Sequence, residues 1–282
     1  MGLDGFAVLA KKQEDLLAKS YCLQSFALLT LSSASGPFRL KARASKRLNS
    51  TVIAKSSIEV KEGAFTFTPK RKSDGSGMYV LEYAASPDLK VKSDCRSSVS
   101  GCEGTVSAEY SQPNYKAKVA LVAPNSALKF SGTFGNNTHG FALDGKFDLT
   151  ASRLVAYNFA NYWFSPTHRI VLKHTGSNPS QVTLGEFAAS FHQIISEKST
   201  FAAVAKYNVP KKATFIEFGG AHALAADLEV RAKVDSLGLL AASASKAWDG
   251  LKVTVAAQVD LKRAAQTQVS DYKLGVRVDL TS

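Results

Sequence analysis

The sequence predicts an all-β chain, a transmembrane β-barrel of roughly 18 to 20 strands, preceded by one N-terminal amphipathic α-helix. Three observations predict it. Apolar and polar residues alternate with period 2 over runs of nine to eleven residues. Turn-forming residues punctuate these runs at intervals of roughly 12 to 15, which is one ten-residue strand plus a short turn. The 282 residues are 45% hydrophobic, yet no stretch offers the ~18 consecutive apolar residues of a membrane-spanning helix.

Residues 5–20 read as the one convincing helix. Phe6, Leu9, Ala10, Leu16 and Leu17 fall on one face at helical spacing, with Gln13 and Ser20 among them. Lys11, Lys12, Glu14, Asp15 and Lys19 fill the opposite face, so the segment is too short and too charged to cross a bilayer. Such a helix packs on a core, lies at a membrane surface or sits inside a wide barrel.

From residue 23 the period changes. Phe38, Leu40, Ala42 and Ala44 alternate with Arg39, Lys41 and Arg43. Phe141, Leu143, Gly145, Phe147 and Leu149 alternate with Ala142, Asp144, Lys146 and Asp148. Leu228, Val230, Ala232 and Val234 alternate with Glu229, Arg231 and Lys233. The run from Leu251 to Leu261 and the run from Tyr272 to Leu280 do the same. Successive side chains of a strand point to opposite faces, so each run has one apolar and one polar face.

Turn chemistry separates the runs: Ser35-Gly36-Pro37, Ser73-Asp74-Gly75, Ser86-Pro87-Asp88, Pro124-Asn125-Ser126, Gly135-Asn136-Asn137, Gly176-Ser177-Asn178-Pro179 and Trp248-Asp249-Gly250. No second helix is long enough for a βαβ unit. The expected organisation is a helix and linker over 1–22 and a single barrel over 23–282, without a low-complexity linker.

Composition narrows the function classes. Thirty-five Lys and Arg against 23 Asp and Glu give a net charge of +12. That balance suits a soluble nucleic-acid binder or a barrel with a basic interior. Three cysteines are too few for a disulfide scaffold. The start lacks the features of a secretory signal or an Arg-rich transit peptide, because Asp4, Glu14 and Asp15 are interspersed. Pattern alone leaves a soluble sandwich open, but its strands usually run nearer five or six residues. Ten residues tilted by about 45° cross a bilayer core. Tyr79, Tyr83, Tyr157, Tyr162, Trp163, Phe164, Trp248 and Tyr272 gather toward strand ends, as interfacial girdles do.

Four stretches make the chain resemble the mitochondrial porins, the voltage-dependent anion channels. Glu14-Asp15-Leu16-Leu17-Ala18-Lys19-Ser20-Tyr21 resembles the end of that family's N-terminal helix, and Ala64-Phe65-Thr66-Phe67-Thr68 with Lys70 resembles an early strand. Ala232-Lys233-Val234 with Leu237-Gly238-Leu239, then Gly250-Leu251-Lys252-Val253-Thr254-Val255, resembles the late strands. The ending Asp271-Tyr272-Lys273-Leu274-Gly275-Val276-Arg277-Val278-Asp279-Leu280 resembles the last strand. Residues 95 to 220 match only as pattern. The resemblance implies about 19 strands, an odd number whose first and last strands pair in parallel, with the helix in the lumen. It also implies that Lys273, Gly275, Val278 and Leu280 form the sorting signal read by the outer-membrane barrel-assembly machinery. Many animal members carry a lipid-facing acidic residue after the Thr-Phe-Thr; here Pro69 stands there, and a lost ladder donor predicts a bulge or strand end. Gly250-Leu251-Lys252 resembles a nucleotide element proposed for the family, and Asp88-Leu89-Lys90 is a weaker version.

Expected to face the lumen and meet anions are Arg39, Lys41, Arg43, Lys61, Lys118, Arg231, Lys233, Lys252, Lys273 and Arg277, with Lys12 and Lys19 contributed by the helix. Lys70-Arg71-Lys72, Lys211-Lys212 and Lys262-Arg263 are expected in turns, near lipid headgroups. Gly140 to Lys146 has P-loop spacing, but Phe147 replaces the Ser or Thr, and the segment lies inside an alternating strand. The five histidines show no metal-ligand spacing, Cys95 and Cys102 are near in sequence without a CxxC, and no catalytic constellation emerges. The expectation is therefore a non-enzymatic, cofactor-free channel of the mitochondrial outer membrane. It passes anions such as adenine nucleotides and phosphate, closes with voltage, and binds lipid rather than nucleic acid, alone, as a homo-oligomer or in a larger complex. The rivals are the protein-import pore, which carries a longer extension before its inner helix, and a barrel serving as a structural subunit.

Overall fold

The structure, a computed structural model, describes residues 9–18, 21, 27–46, 52–98, 101–177, 184–264 and 272–281. Residues 11–18 form helix α1 (Lys11–Ala18). Nineteen strands follow. They begin with β1 (Ala27–Ser35), β2 (Phe38–Lys46), β3 (Ile53–Glu62), β4 (Phe65–Lys72), β5 (Gly77–Ala84) and β6 (Leu89–Ser98). The middle strands are β7 (Gly101–Ser111), β8 (Tyr115–Ala123), β9 (Ala127–Gly135), β10 (His139–Asp148), β11 (Arg153–Phe164), β12 (His168–Ser177) and β13 (Glu186–Ser196). The last are β14 (Ser199–Asn208), β15 (Ala213–Ala223), β16 (Leu228–Asp235), β17 (Leu239–Trp248), β18 (Leu251–Asp260) and β19 (Tyr272–Thr281), with a single helical turn, α2 (Leu261–Ala264), before β19. Leu9 and Ala10, expected in the helix, form a turn ahead of it; the predicted ends of the N-terminal helix, Lys19, Cys22 and the boundary at 22/23 lie outside the described residues.

Each strand pairs antiparallel with its chain neighbour, and β1 closes the ring on β19 in parallel, Ala27 opposite Val276 through Ser32 opposite Thr281. Ser32 reinforces that seam, its hydroxyl donating to the Leu280 carbonyl at 3.3 Å. Tight turns form where the sequence permits them; Gly36 and Gly250 take φ of +55° and +68°, which the absence of a Cβ makes cheap. The rim where β1 starts is called the near rim; the far rim is where β19 ends.

Pairing register carries one parity round the whole ring. Leu29, Phe38, Leu40, Phe67, Leu172, Phe218, Val255 and Leu274 point outward and are exposed. Along the outward parity Asp, Glu, Lys and Arg occur only within two residues of a strand end, at Lys46, Glu62, Arg71 and Lys246. Lys246 lays its ammonium 5.4 Å from the Trp248 ring centroid, the usual posture of a snorkelling lysine at an aromatic belt. A charge-free band bounded by polar ends is what a hydrocarbon layer requires.

The girdle expectation needs correction at Tyr162 and Phe164. They share the inward parity, opposite Val171 and Arg169, and pack under the N-terminal segment. Pro69 also departs from expectation: β4 runs through it with neither bulge nor strand end. The β3–β4 ladder pairs Ser57 with Lys70 and Val60 with Phe67 in one register, with the two intervening pairs lost. The missing N–H is tolerated because Pro69 still pairs with Tyr79 on the other side. Lys70, Arg71 and Lys72 belong to β4 rather than to a turn.

Residues 9–18 lie in the lumen. Leu9 and Ala10 pack on Ala142, Ala160, Tyr162, Phe164 and Val171; Leu16 and Leu17 pack on Ala202 and Val204, with Ala221 beside them. The docking strip is readable as a run of small uncharged inward residues, since Ala and Gly let a helix approach closely. A Glu14–Lys173 ion pair at 3.6 Å adds a polar tether to β12. Gln13 sits on the docked face, 0% exposed, and neither amide atom has a hydrogen-bond partner among the described residues.

Two outcomes are expected. Gln13→Leu removes two unpaired buried polar atoms and strengthens docking by about 1–3 kcal/mol, whereas Leu17→Ala weakens it by about 2–5 kcal/mol; amide hydrogen exchange over residues 11–18 should slow and speed up accordingly. Pro69→Thr should restore the broken ladder and raise the urea midpoint of the refolded barrel, by the equivalent of about 1 kcal/mol.

Candidate channel lumen

A ring of this many strands encloses water rather than a packed core. The register places Arg39, Lys41, Arg43, Lys61, Lys118, Arg231, Lys233, Lys252, Lys273 and Arg277 on the inward parity. Lys12 is exposed on the free face of α1. Within the last strand Lys273 and Gly275 face the lumen, while Val278 and Leu280 face outward.

These cations are not equivalent. Arg231 pairs with Glu229, and Lys233 reaches Glu217 at 2.8 Å. Arg277 donates to Asp279 at 2.6 Å, and Lys118 and Lys116 share Glu109 at 4.0 and 2.8 Å. Arg39 lies 3.5 Å from Glu59. In the water-exposed bore such pairs contribute about 0–1 kcal/mol each to stability, but they cancel local field. Lys41, Arg43, Lys252 and Lys273 have no carboxylate within ion-pair distance among the described residues.

The excess of positive charge is concentrated on one wall. Strands β2–β4 present Arg39, Lys41, Arg43, Lys55, Lys61, Lys70 and Lys72 inward, and Glu59 is their one inward carboxylate. Strands β13–β15, eleven places away one way round and eight the other, carry the helix. The bore therefore has a docking side and a cationic side. Lys55, Lys70 and Lys72 are lumenal residues that the sequence reading missed. The signal was present: Lys55 keeps step with Lys61, and Lys70 and Lys72 keep step with Thr66 and Thr68 once the strand continues through Pro69.

Tyr21 lies against β16, its ring 4.8 Å from the Lys233 ammonium. Burial pushes its phenol up to about 12, so it stays neutral as a cation-π partner through the physiological range.

A family model described as eukaryotic porin matches residues 5–275. Among curated proteins the chain is 24% identical over 275 residues to mitochondrial outer membrane protein porin 2 of Oryza sativa subsp. japonica, covering 91% of this chain and 90% of that protein. Among solved structures a mutant of Rh. blastica porin superposes with a TM-score of 0.54 at 10% identity, over 84% of this chain and 97% of that one, a likeness of fold. A closed barrel with a charge-free outer band, a watery charged bore and a family match over nearly its whole length make this chain a member of the eukaryotic porin family, a membrane-embedded pore for small solutes.

Proposed function

We propose that the protein is an anion-preferring, voltage-dependent channel of the mitochondrial outer membrane that passes small anionic metabolites and nucleotides by diffusion. The observation that carries the reading is the wall of β2–β4, with seven inward cations against one carboxylate. A wall of one sign in a confined, partly low-dielectric passage raises the local concentration of counter-ions and repels co-ions. Exposed lysines hold anions weakly enough to release them, which flux requires. The mitochondrial location follows the rice relative, whose length this chain matches almost throughout. The outward Val278 and Leu280 beside lumenal Lys273 and Gly275 fit a C-terminal signal for barrel assembly, and the channel acts by diffusion rather than by chemistry.

In a planar bilayer under a KCl gradient, the reversal potential should lie on the chloride side and the current should fall at higher voltage of either sign. Lys252→Gln, which removes an unpaired lumenal charge outside that signal, should move the reversal potential toward zero while leaving insertion unchanged. Stable insertion without current would favour a structural subunit. A cation-preferring pore opened by presequence peptides would favour protein import.

A further inference from the structure

The near-rim half of the cationic wall has a finer geometry. Arg43 stands directly opposite Lys55, and Lys55 directly opposite Lys72. Two residues deeper, Lys41 stands opposite Ser57, and Ser57 opposite Lys70. With neighbouring strands about 4.8 Å apart, the first row places three cations across roughly 10 Å, and the second row lies roughly 6.6 Å below it. Like charges directly opposite one another destabilise a sheet. Elsewhere Arg39 stands opposite Glu59, Glu82 opposite Lys92, Glu109 opposite Lys118 and Lys252 opposite Asp279; Lys129 opposite Lys146 is a like-charge pair, but the β2–β4 row sets three cations in succession. These rows line a recess of about 850 Å³ that also takes in Arg96 and the turn residues Pro124 and Asn125, and Glu103 is its one carboxylate.

We propose that this recess is a binding station for linked phosphates, a chain of two or more phosphoryl groups. The Arg43–Lys55–Lys72 row spans such a chain, and Lys41 and Lys70 close on it from below with the Ser57 hydroxyl between them. The inference deepens the anion-channel reading and rests on it: the station holds polyphosphates at the near rim before they cross. A free inorganic polyphosphate and the tail of a nucleoside triphosphate share this chemistry.

The test is block of single-channel current by inorganic tripolyphosphate, by adenosine triphosphate and by adenosine monophosphate. Both triphosphates should reduce the current at concentrations well below those needed for the monophosphate; a lower half-blocking concentration for the nucleotide than for tripolyphosphate would identify the nucleotide as the preferred source. Lys55→Gln, Lys70→Gln and Lys72→Gln together should raise the half-blocking concentration at least tenfold. Lys206→Gln, two residues from the near-rim end of β14 on the helix side of the bore, should change it less than twofold. Lys55→Gln alone relieves the row's repulsion, so it should fold at least as well as the parent and still weaken the block. Equal weakening by Lys206→Gln, or none from the triple variant, overturns the station; a chloride-side reversal potential would then leave the channel reading standing, whereas a cation-side one fails that reading first.

A separate observation concerns the β6–β7 hairpin. Cys95 and Cys102 are diagonal neighbours on its outward face near the near rim, and their sulfurs are 2.8 Å apart, against about 2.05 Å in a disulfide. Cys102 is exposed. We infer that this pair is a reversible dithiol site. One thiolate attacks hydrogen peroxide to give a sulfenic acid and hydroxide, which takes up a proton to become water. The second thiol then displaces water, so that two thiols and one peroxide yield one disulfide and two waters. Arg96 separates the cysteines for trypsin. After mild peroxide, the intact barrel carrying Cys22→Ser should yield peptide 93–96 joined to peptide 97–116, two hydrogens lighter than the sum of the two, and dithiothreitol should separate them. Two independently alkylated peptides after peroxide would overturn the inference.

Discussion

Closure is the constraint on which everything else depends. A strand edge in hydrocarbon leaves a row of unpaired N–H and C=O groups at several kcal/mol each, so a spanning sheet must join its ends. With nineteen strands in simple up-and-down order, β1 and β19 run the same way and must join in parallel. The parallel ladder is slightly weaker per residue than the antiparallel one. The six matched residues from Ala27 to Ser32, helped by the Ser32 hydroxyl, carry that seam.

Closure also fixes the two faces, because one parity has to survive all nineteen pairings. Once Phe38 and Leu40 point to lipid, Arg39, Lys41 and Arg43 must point inward, and the neighbouring strands follow. Interior chemistry is thereby divided by strand position. Where inward residues are Ala142, Ala160, Ala202 and Ala221, the wall is smooth enough for Leu9, Leu16 and Leu17 to bury against it. Where they are Lys41, Arg43, Lys55, Lys70 and Lys72, no apolar helix face can lie. The helix is thus placed on its side of the bore by exclusion as much as by attraction.

Much of this was legible in the sequence, since period 2 and period 3.6 are local signals. Parity placed Lys118, Arg231, Lys252 and Arg277 in the lumen without any knowledge of the fold, and the helix face was read residue by residue, Gln13 included. What parity cannot show is the partner across the strand. The Lys233–Glu217 ion pair and the like-charge row of Arg43, Lys55 and Lys72 depend on register between segments, which no single run encodes, whereas Arg231–Glu229 and Arg277–Asp279 are same-face neighbours two residues apart on one strand. Tyr162 and Phe164 were misread because an aromatic near a strand end fits an interfacial belt and the floor of a docking site equally well. Only the helix above them decides. Lys70 and Lys72 were hidden by Pro69, a residue that ordinarily ends a strand and here only interrupts one ladder.

Two local arrangements run against the rest of this consistent design, and both lie in the lumen. Gln13 buries an amide without partners among the described residues in an otherwise apolar contact, which offsets part of what Leu16 and Leu17 contribute to docking. The Arg43–Lys55–Lys72 row sets three like charges side by side, where Lys92, Lys118 and Lys252 each stand opposite a carboxylate. Neither helps the empty barrel to fold, and departures of this kind are expected where a protein does its work. Gln13 leaves the helix held less tightly than its apolar face allows, and a wall charged beyond what its own carboxylates neutralise is complementary to an anion from outside. The two departures lie on opposite sides of the same bore, Gln13 between the helix and its wall and the cationic row on the wall across from them.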